Sequence, residues 1–239
     1  MTSSRAVVFD LFHTLVDPED FRPPAFTRLE VLSVEIGIDL DAFSEFWAAT
    51  SLERTTTGVR VVDLVDRFAG DLGLPLTTQQ RLLTDDIMGR CQDRSIEKPR
   101  SEVSSLVVDL KARGWQLGLL SNCHEREVRA WPTSPLAPYF DTVGFSHVIG
   151  AKKPKREAYA YVLDRLDVPA ARSAYVGNGQ SDELVGAVEA GFALVVHYNA
   201  FDATNGLVTS AERERRADQA HVSVDTIEDL TVHFHGFTH

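Results

Sequence analysis

Residues 6–9 read Ala-Val-Val-Phe and lead directly into Asp10. A short, unbroken apolar run that stops at a polar residue suits a strand buried on both faces, as a covered parallel sheet requires. Asp10 then stands at the carboxyl end of that strand, the edge where open α/β sheets place their ligands. A carboxylate held there beside backbone N–H groups serves as a metal ligand, a nucleophile, or both. Thr14 follows four residues later. A second carboxylate two positions after Asp10 would suit acid–base work, but the chain has Phe12 there.

The second half of the chain repeats the strand signal between helical stretches. Val103 to Lys111 reads as a helix, Trp115 to Leu120 as a strand and Glu125 to Trp131 as a short helix. Val143 to Val148 reads as a strand, Lys155 to Leu166 as a helix and Ser173 to Gly177 as a strand. Glu183 to Ala190 and Phe192 to Val196 follow as helix and strand. This alternation predicts an α/β fold, a parallel sheet with helices on both faces. Residues 199–220 read as a loop plus a surface helix, and Thr226 to Val232 as a terminal helical element.

Between the first strand and this alternation, residues 23 to 95 carry helical stripes and no strand. Phe26, Leu29, Val31, Leu32 and Ile36 form one, and Phe43, Phe46, Trp47 and Leu52 a second. Val61, Leu64, Val65, Phe68 and Leu72 form a third, and Leu82, Leu83, Ile87 and Met88 a fourth. Four amphipathic helices make a small inserted domain at 17–97, with residues 1–16 and 98–239 forming the sheet core. The aromatic residues on the stripes read as core.

The chain has 239 residues, 44% of them hydrophobic, and a net charge of −11. That charge disfavours nucleic acid and anionic membranes, which need a basic surface. It leaves room for a small anionic substrate, because local cations and helix N-termini can dominate a pocket. Cys91 and Cys123 form no metal-binding pattern and suit a reducing compartment. The N-terminus shows no signal-peptide pattern. No apolar run approaches the roughly 18–20 residues of a membrane span, so a cytoplasmic protein is expected.

Chemistry-bearing residues gather at the predicted strand ends: Asp10, then Ser121 and Asn122, then Lys153 with Tyr159 six positions on, then the loop Gly177 to Glu183. In order and spacing these residues resemble the haloacid dehalogenase (HAD) superfamily of hydrolases, over about residues 5 to 197. The resemblance implies a Rossmann-like core, with the helical insert as a C1-type cap, and a covalent aspartyl mechanism. By it, Asp10 is the nucleophile, and Lys153 and Ser121 are its catalytic partners. Thr14 and Asn122 help to hold the transferring group, and Phe12, His13 and Tyr159 join them at the site. Mg2+ would take oxygen from Asp10, the Phe12 carbonyl, Asn178 and Asp182, with Glu183 as the alternative acidic ligand.

The chain departs from the phosphatase pattern twice. Phe12 can neither protonate a leaving group nor activate water, tasks that typically contribute about 10²–10⁴-fold. Asn178 stands where the last motif commonly has Asp, which removes a charge from the metal site. Phosphate-ester hydrolysis of a small soluble substrate leads among the readings. The first alternative is hydrolysis of a carbon–halogen bond in 2-haloacids, a branch that lacks the second aspartate and needs no metal. That branch uses a cap arginine, for which Arg22, Arg28, Arg54 and Arg60 are candidates. The second alternative is a non-hydrolytic biosynthetic or binding protein on the same fold. His13 and His124 flank the site and titrate near neutral pH; a structural or surface role leads for each, and substitution as an acid or base is the alternative. Oligomeric state is not legible.

Overall fold

A computed structural model describes residues 5–206 and 208–237. Six parallel strands form one sheet: β1 (Ala6–Phe9), β2 (Gln116–Ser121), β3 (Thr142–Phe145), β4 (Ser173–Gly177), β5 (Leu194–Tyr198) and β6 (Val222–Val224). Their spatial order is β3-β2-β1-β4-β5-β6. β1 therefore lies at the centre, with Phe9 opposite both Leu119 and Val176. The chain winds one way from β1 through β2 to β3, then the other way from β4 to β6. This reversal opens a crevice at the carboxyl end of β1, which is where doubly wound sheets bind ligands.

The continuous apolar reading of the strands has a direct cause. Successive side chains point to opposite faces, and both faces are covered. Val7, Phe9, Leu117 and Val176 share one buried cluster with Val107 and Leu110 of α6 (Ser101–Ala112). The same cluster includes Leu230 and Phe234 of the C-terminal helix, Ile227–His235. Val8, Tyr175 and Val195 pack on the other face with Val162 and Leu166, from the helix Arg156–Leu166.

Three predicted elements differ. The third strand ends at Phe145, and residues Ser146–Ile149 form a short helix, α7. Ser146 Oγ accepts from the Cys123 backbone N–H at 2.9 Å and donates to the Cys123 carbonyl at 3.2 Å, which pulls the chain out of the sheet. α8 is Arg156–Leu166 and α9 is Glu183–Glu189. The polar stretch after β5 holds two helices, α10 (Ala200–Asn205) and α11 (Ser210–Ala217). β6 went unread because three residues are too few to show a period. α12 is Ile227–His235.

Between β1 and α6 the chain is helical: α1 (Arg28–Ile36), α2 (Leu40–Ala49), α3 (Ser51–Thr56), α4 (Val61–Asp71) and α5 (Thr78–Glu97). The expected four helices are thus five. The second stripe breaks at Thr50, and Leu52, placed on that stripe, is 55% exposed. Asp39 caps α2 by accepting the Ala42 N–H, and Thr77 and Gln80 form a reciprocal capping box that starts α5. These helices hold their own apolar cluster around Leu32, Phe43, Val65 and Ile87, with Phe46 and Phe68 stacked at 4.3 Å. Buried Arg126 ties α5 to the sheet core, donating to the Asp85 carbonyl at 2.7 Å and to Asp93 Oδ1 at 2.8 Å. No helix among the described residues is long and apolar enough to cross a membrane.

Candidate active site

Asp10 continues the line of β1, its N–H donating to the Val176 carbonyl at 2.9 Å. The chain then tightens. The Leu11 carbonyl accepts from the N–H groups of Thr14, Leu15 and Val16, and His13 takes a left-handed conformation at φ 60°. That turn brings Thr14 back over Asp10, where its hydroxyl donates to Oδ2 at 3.2 Å.

Lys153 meets Asp10 from the far side. Its Nζ lies 2.5 Å from Asp10 Oδ1, 2.5 Å from Glu183 Oε2 and 3.1 Å from the Tyr175 hydroxyl. Burial alone would lower the lysine's pKa, but the charges of Asp10 and Glu183 and hydrogen bonds to both raise it above the usual value. The ammonium therefore stays charged. Glu183 is pushed up by burial and by the charge of Asp10, with Lys153 and Tyr175 opposing. Asn122 fixes the lysine backbone. Its Oδ1 accepts the Lys153 N–H at 2.8 Å and its Nδ2 donates to the Lys153 carbonyl at 3.0 Å. Asn122 also lines the cavity, but its amide group is committed to positioning Lys153.

Glu183, not Asp182, reaches the site. Ser181 and Asp182 are consecutive left-handed residues, at φ 56° and 53°, just before α9. The turn leaves Asp182 outside, 3.3 Å from Arg215, with its side chain 59% exposed. Glu183 is buried, with Oε1 accepting the Gly179 N–H at 2.9 Å and Oε2 accepting the Tyr175 hydroxyl at 2.7 Å. Gly177 is needed for this fit, because a Cβ there would fall 2.4 Å from Glu183 Oε1.

Two further expected residues lie away from the cavity. Tyr159 is fully buried, and its hydroxyl donates to the Glu183 carbonyl at 2.6 Å, so it supports α9 rather than facing a ligand. Asn178 is buried, its Nδ2 donating to Asp202 Oδ2 at 3.3 Å and its Oδ1 accepting the Gln180 N–H at 3.3 Å. The donor set expected for Mg2+ is therefore not assembled. Of Asp10, Phe12, Asn178 and Asp182, only the first two line the cavity, and both Glu183 oxygens are engaged. Mg2+ requires open oxygen ligands in near-octahedral array, and these residues do not fit it.

The cavity over Asp10 has a volume of about 230 Å³. Ser121, at the end of β2, lines it with Phe12 and His13. Helical-insert side chains close it, among them Arg22, Arg28 and Gln92, with Glu127 from the core. Of the four candidate arginines, Arg22 and Arg28 are at the cavity, while Arg54 lies over the Trp47 ring at 4.0 Å. Sequence reasoning missed Tyr175 and Gln92. Tyr175 sits inside an apolar strand, where its ring satisfies the pattern and its hydroxyl gives no separate signal.

His13 Nδ1 is 3.0 Å from Asp17 Oδ1. Burial would lower the imidazole, yet the hydrogen bond and charge of Asp17, aided by Asp202 and Asp10, raise it. Burial opposes ionisation of Asp17, but the His13 hydrogen bond and the Glu19 N–H lower it. His124 differs: burial pushes it down to about 4, which keeps it neutral. Burial also pushes the Cys123 thiol well up, so it is no nucleophile.

A haloacid dehalogenase-like hydrolase family model matches residues 4–191. Glyceraldehyde 3-phosphate phosphatase of Methanothermobacter thermautotrophicus is 27% identical over 137 residues, which span 56% of this chain and 56% of that protein. A 2-haloacid dehalogenase from Pseudomonas syringae pv. Tomato superposes with a TM-score of 0.67 at 21% identity, covering 98% of this chain and all (100%) of the other. A HAD phosphatase from Thermococcus onnurineus gives a TM-score of 0.64 at 21% identity over 97% of this chain and 98% of its own. At that identity the structural likeness speaks for the fold.

Proposed function

Because the chain belongs to the haloacid dehalogenase-like hydrolase family, we propose that it hydrolyses a small phosphate monoester through an aspartyl-phosphate on Asp10. The observation that carries this reading is the 2.5 Å contact between Asp10 and Lys153, under a cavity that also holds Arg22 and Arg28. Lys153 is shared by Asp10 and Glu183, Arg22 pairs with Glu19 and Arg28 with Glu127, so a doubly charged phosphoryl group is held when the two arginines turn from these carboxylates onto it. A phosphatase-named relative supports the same choice. The helices of residues 17–97 act as the cap, and they supply both arginines.

A carboxylate oxygen of Asp10 attacks phosphorus, and the bond to the ester oxygen breaks with its electron pair on the leaving group. Thr14 orients Asp10, and Lys153, Ser121 and the arginines stabilise charge on the transferring oxygens. His13 takes the place of the acid that Phe12 cannot provide. The Asp17 carboxylate, 3.0 Å from Nδ1, favours the imidazolium by its charge, and Nε2 gives a proton to the leaving oxygen. In the second half His13 accepts a proton from water as that water attacks phosphorus, which frees phosphate and Asp10. Division into two displacements lowers each barrier. No step runs through Mg2+, since the donor set expected for it does not fit.

Carbon–halogen hydrolysis is the second reading. Phe12 favours it, because a halide leaves without a proton. Phosphate release from a monoester panel and halide release from 2-haloacids, each with Mg2+ and with chelator, separate the two. Phosphate release abolished in Asp10→Asn is the expected result. Halide release alone overturns the lead, and ligand binding with neither release points to a fold kept without turnover.

A further inference from the structure

Arg22 and Arg28 line two cavities at once. One is the cavity over Asp10. The other, of about 470 Å³, lies between α1, α2 and α5, against Leu29, Leu40, Trp47 and Met88, with the exposed polar side chains of Thr27, Glu30 and Ser44 also on its wall. The two spaces therefore share the side chains of Arg22 and Arg28 as a common wall. The boundary is built in advance: Arg28 Nη1 donates to the Met88 carbonyl at 3.2 Å and to Glu127 at 3.4 Å, and Arg22 pairs with Glu19 at 2.5 Å. Trp47 is held as well, with the Arg54 guanidinium over its face at 4.0 Å and the His124 ring edge-on at 6.1 Å.

We infer that the second cavity receives the leaving group of the substrate, and that this group has an apolar body. The substrate class is then a phosphate monoester of a hydrophobic alcohol, not of a small polyol or triose. This rests on the phosphate-ester reading. Charged arginine heads face phosphate on the Asp10 side, while their aliphatic stems can line the apolar side. A triose would bring hydroxyl groups against Leu29, Leu40 and Met88, with partners only at exposed Ser44 and at Thr27 and Glu30, which already bond each other at 2.6 Å. A cyclic hydrocarbon body removes those same side chains from water and lies against the Trp47 ring. The Asp10 cavity alone, at about 230 Å³, is smaller than the usual ligand pocket of roughly 300–1,000 Å³. The adjoining space supplies what is missing.

The test compares cyclohexylmethyl phosphate with glyceraldehyde 3-phosphate and ethyl phosphate, all esters of primary alcohols, so that leaving-group chemistry stays nearly constant. The expected result is a kcat/KM at least about tenfold higher for the cyclohexylmethyl ester, the scale of added methylenes in an apolar pocket. Leu40 is the first residue of α2 and 38% exposed, so Leu40→Asn folds readily. It narrows the ratio between the cyclohexylmethyl and ethyl esters. Trp47→Ala narrows it further, through KM. Equal kcat/KM values, or preference for glyceraldehyde 3-phosphate, overturn the substrate class and leave phosphate hydrolysis standing. Absence of phosphate release from every ester overturns both.

Discussion

Lys153 Nζ lies 2.5 Å from Asp10 Oδ1, and both side chains are buried. The same nitrogen lies 2.5 Å from Glu183 Oε2, so one ammonium separates two carboxylates. Lys153→Met leaves those carboxylates facing each other without a cation, at a cost of about 3–5 kcal/mol, the scale of a broken buried pair. Lys153→Met with Glu183→Gln regains part of that stability, because one carboxylate becomes neutral, and regains no turnover. Denaturant melts and phosphate-release rates on both variants check this. A single variant as stable as wild type would show that the ammonium is not what holds the cluster together.

The His13–Asp17 pair gives a pH signature in stability. His13 is raised above its ordinary value in the fold. Its contribution is full below the unfolded value of about 6.5 and is lost as pH rises through the folded one. Asp17 is lowered. Its contribution is present above the unfolded value of about 3.9 and is lost as pH falls through the folded one. The stability gap between wild type and His13→Asn is therefore widest in the mildly acidic range and shrinks toward both extremes. Asn is the substitution of choice, because the left-handed backbone at His13 suits it. A gap that stays level across pH would show that the pair is not ionised. Turnover of the same variant falls about 10²–10⁴-fold on alkyl esters if His13 is the acid.

Asp10 and Ser121 were legible at the cavity because strand ends are written in the sequence, whereas Lys153, beyond the helix that follows β3, was reached through the family resemblance. A buried parallel strand needs an unbroken apolar run, and the first polar residue after it marks the crevice. The choice between Asp182 and Glu183 was not legible. It depends on two left-handed residues, Ser181 and Asp182, that carry no glycine to announce them. Asn178 and Tyr159 lie away from the cavity for a related reason. Each sits at the expected spacing, but a local partner, Asp202 for one and the Glu183 carbonyl for the other, claims its polar group. The helical stripes revealed an apolar core at 17–97, while the break at Thr50 left no pattern of its own.

Gly186 brings α9 against the segment that carries Lys153. A Cβ there would sit 2.6 Å from the Pro154 carbonyl oxygen and 2.7 Å from the Tyr159 hydroxyl. Neither is a flexible end: one is backbone, and the other is tied to the Glu183 carbonyl. Gly186→Ala therefore displaces α9 from Lys153, costing about 1–3 kcal/mol as overpacking does, and lowers kcat more than KM. Melting and steady-state rates check it together. Wild-type stability with wild-type rates would show that α9 can shift without moving Glu183.

Positions 12 and 178 respond oppositely to the aspartate that a phosphatase pattern would place there. Phe12 lines the cavity with Asp10, so Phe12→Asp adds a carboxylate within reach of a bound ester and raises phosphate release. Asn178 offers no such access. Its Nδ2 donates to Asp202 Oδ2 at 3.3 Å, and both residues are 1% exposed. Asn178→Asp replaces that donor with an acceptor and sets two buried carboxylates against each other. Arg216, 2.7 Å from Asp202 Oδ2, offsets part of the repulsion. The net loss is about 1–3 kcal/mol, the penalty for an unsatisfied buried group, with no gain in rate. Melts of both variants with Mg2+ and with chelator measure the difference. Stabilisation of Asn178→Asp by Mg2+ would show that Asp202, Asp10 and the new carboxylate turn together onto a metal, and that the resting arrangement gives way on binding.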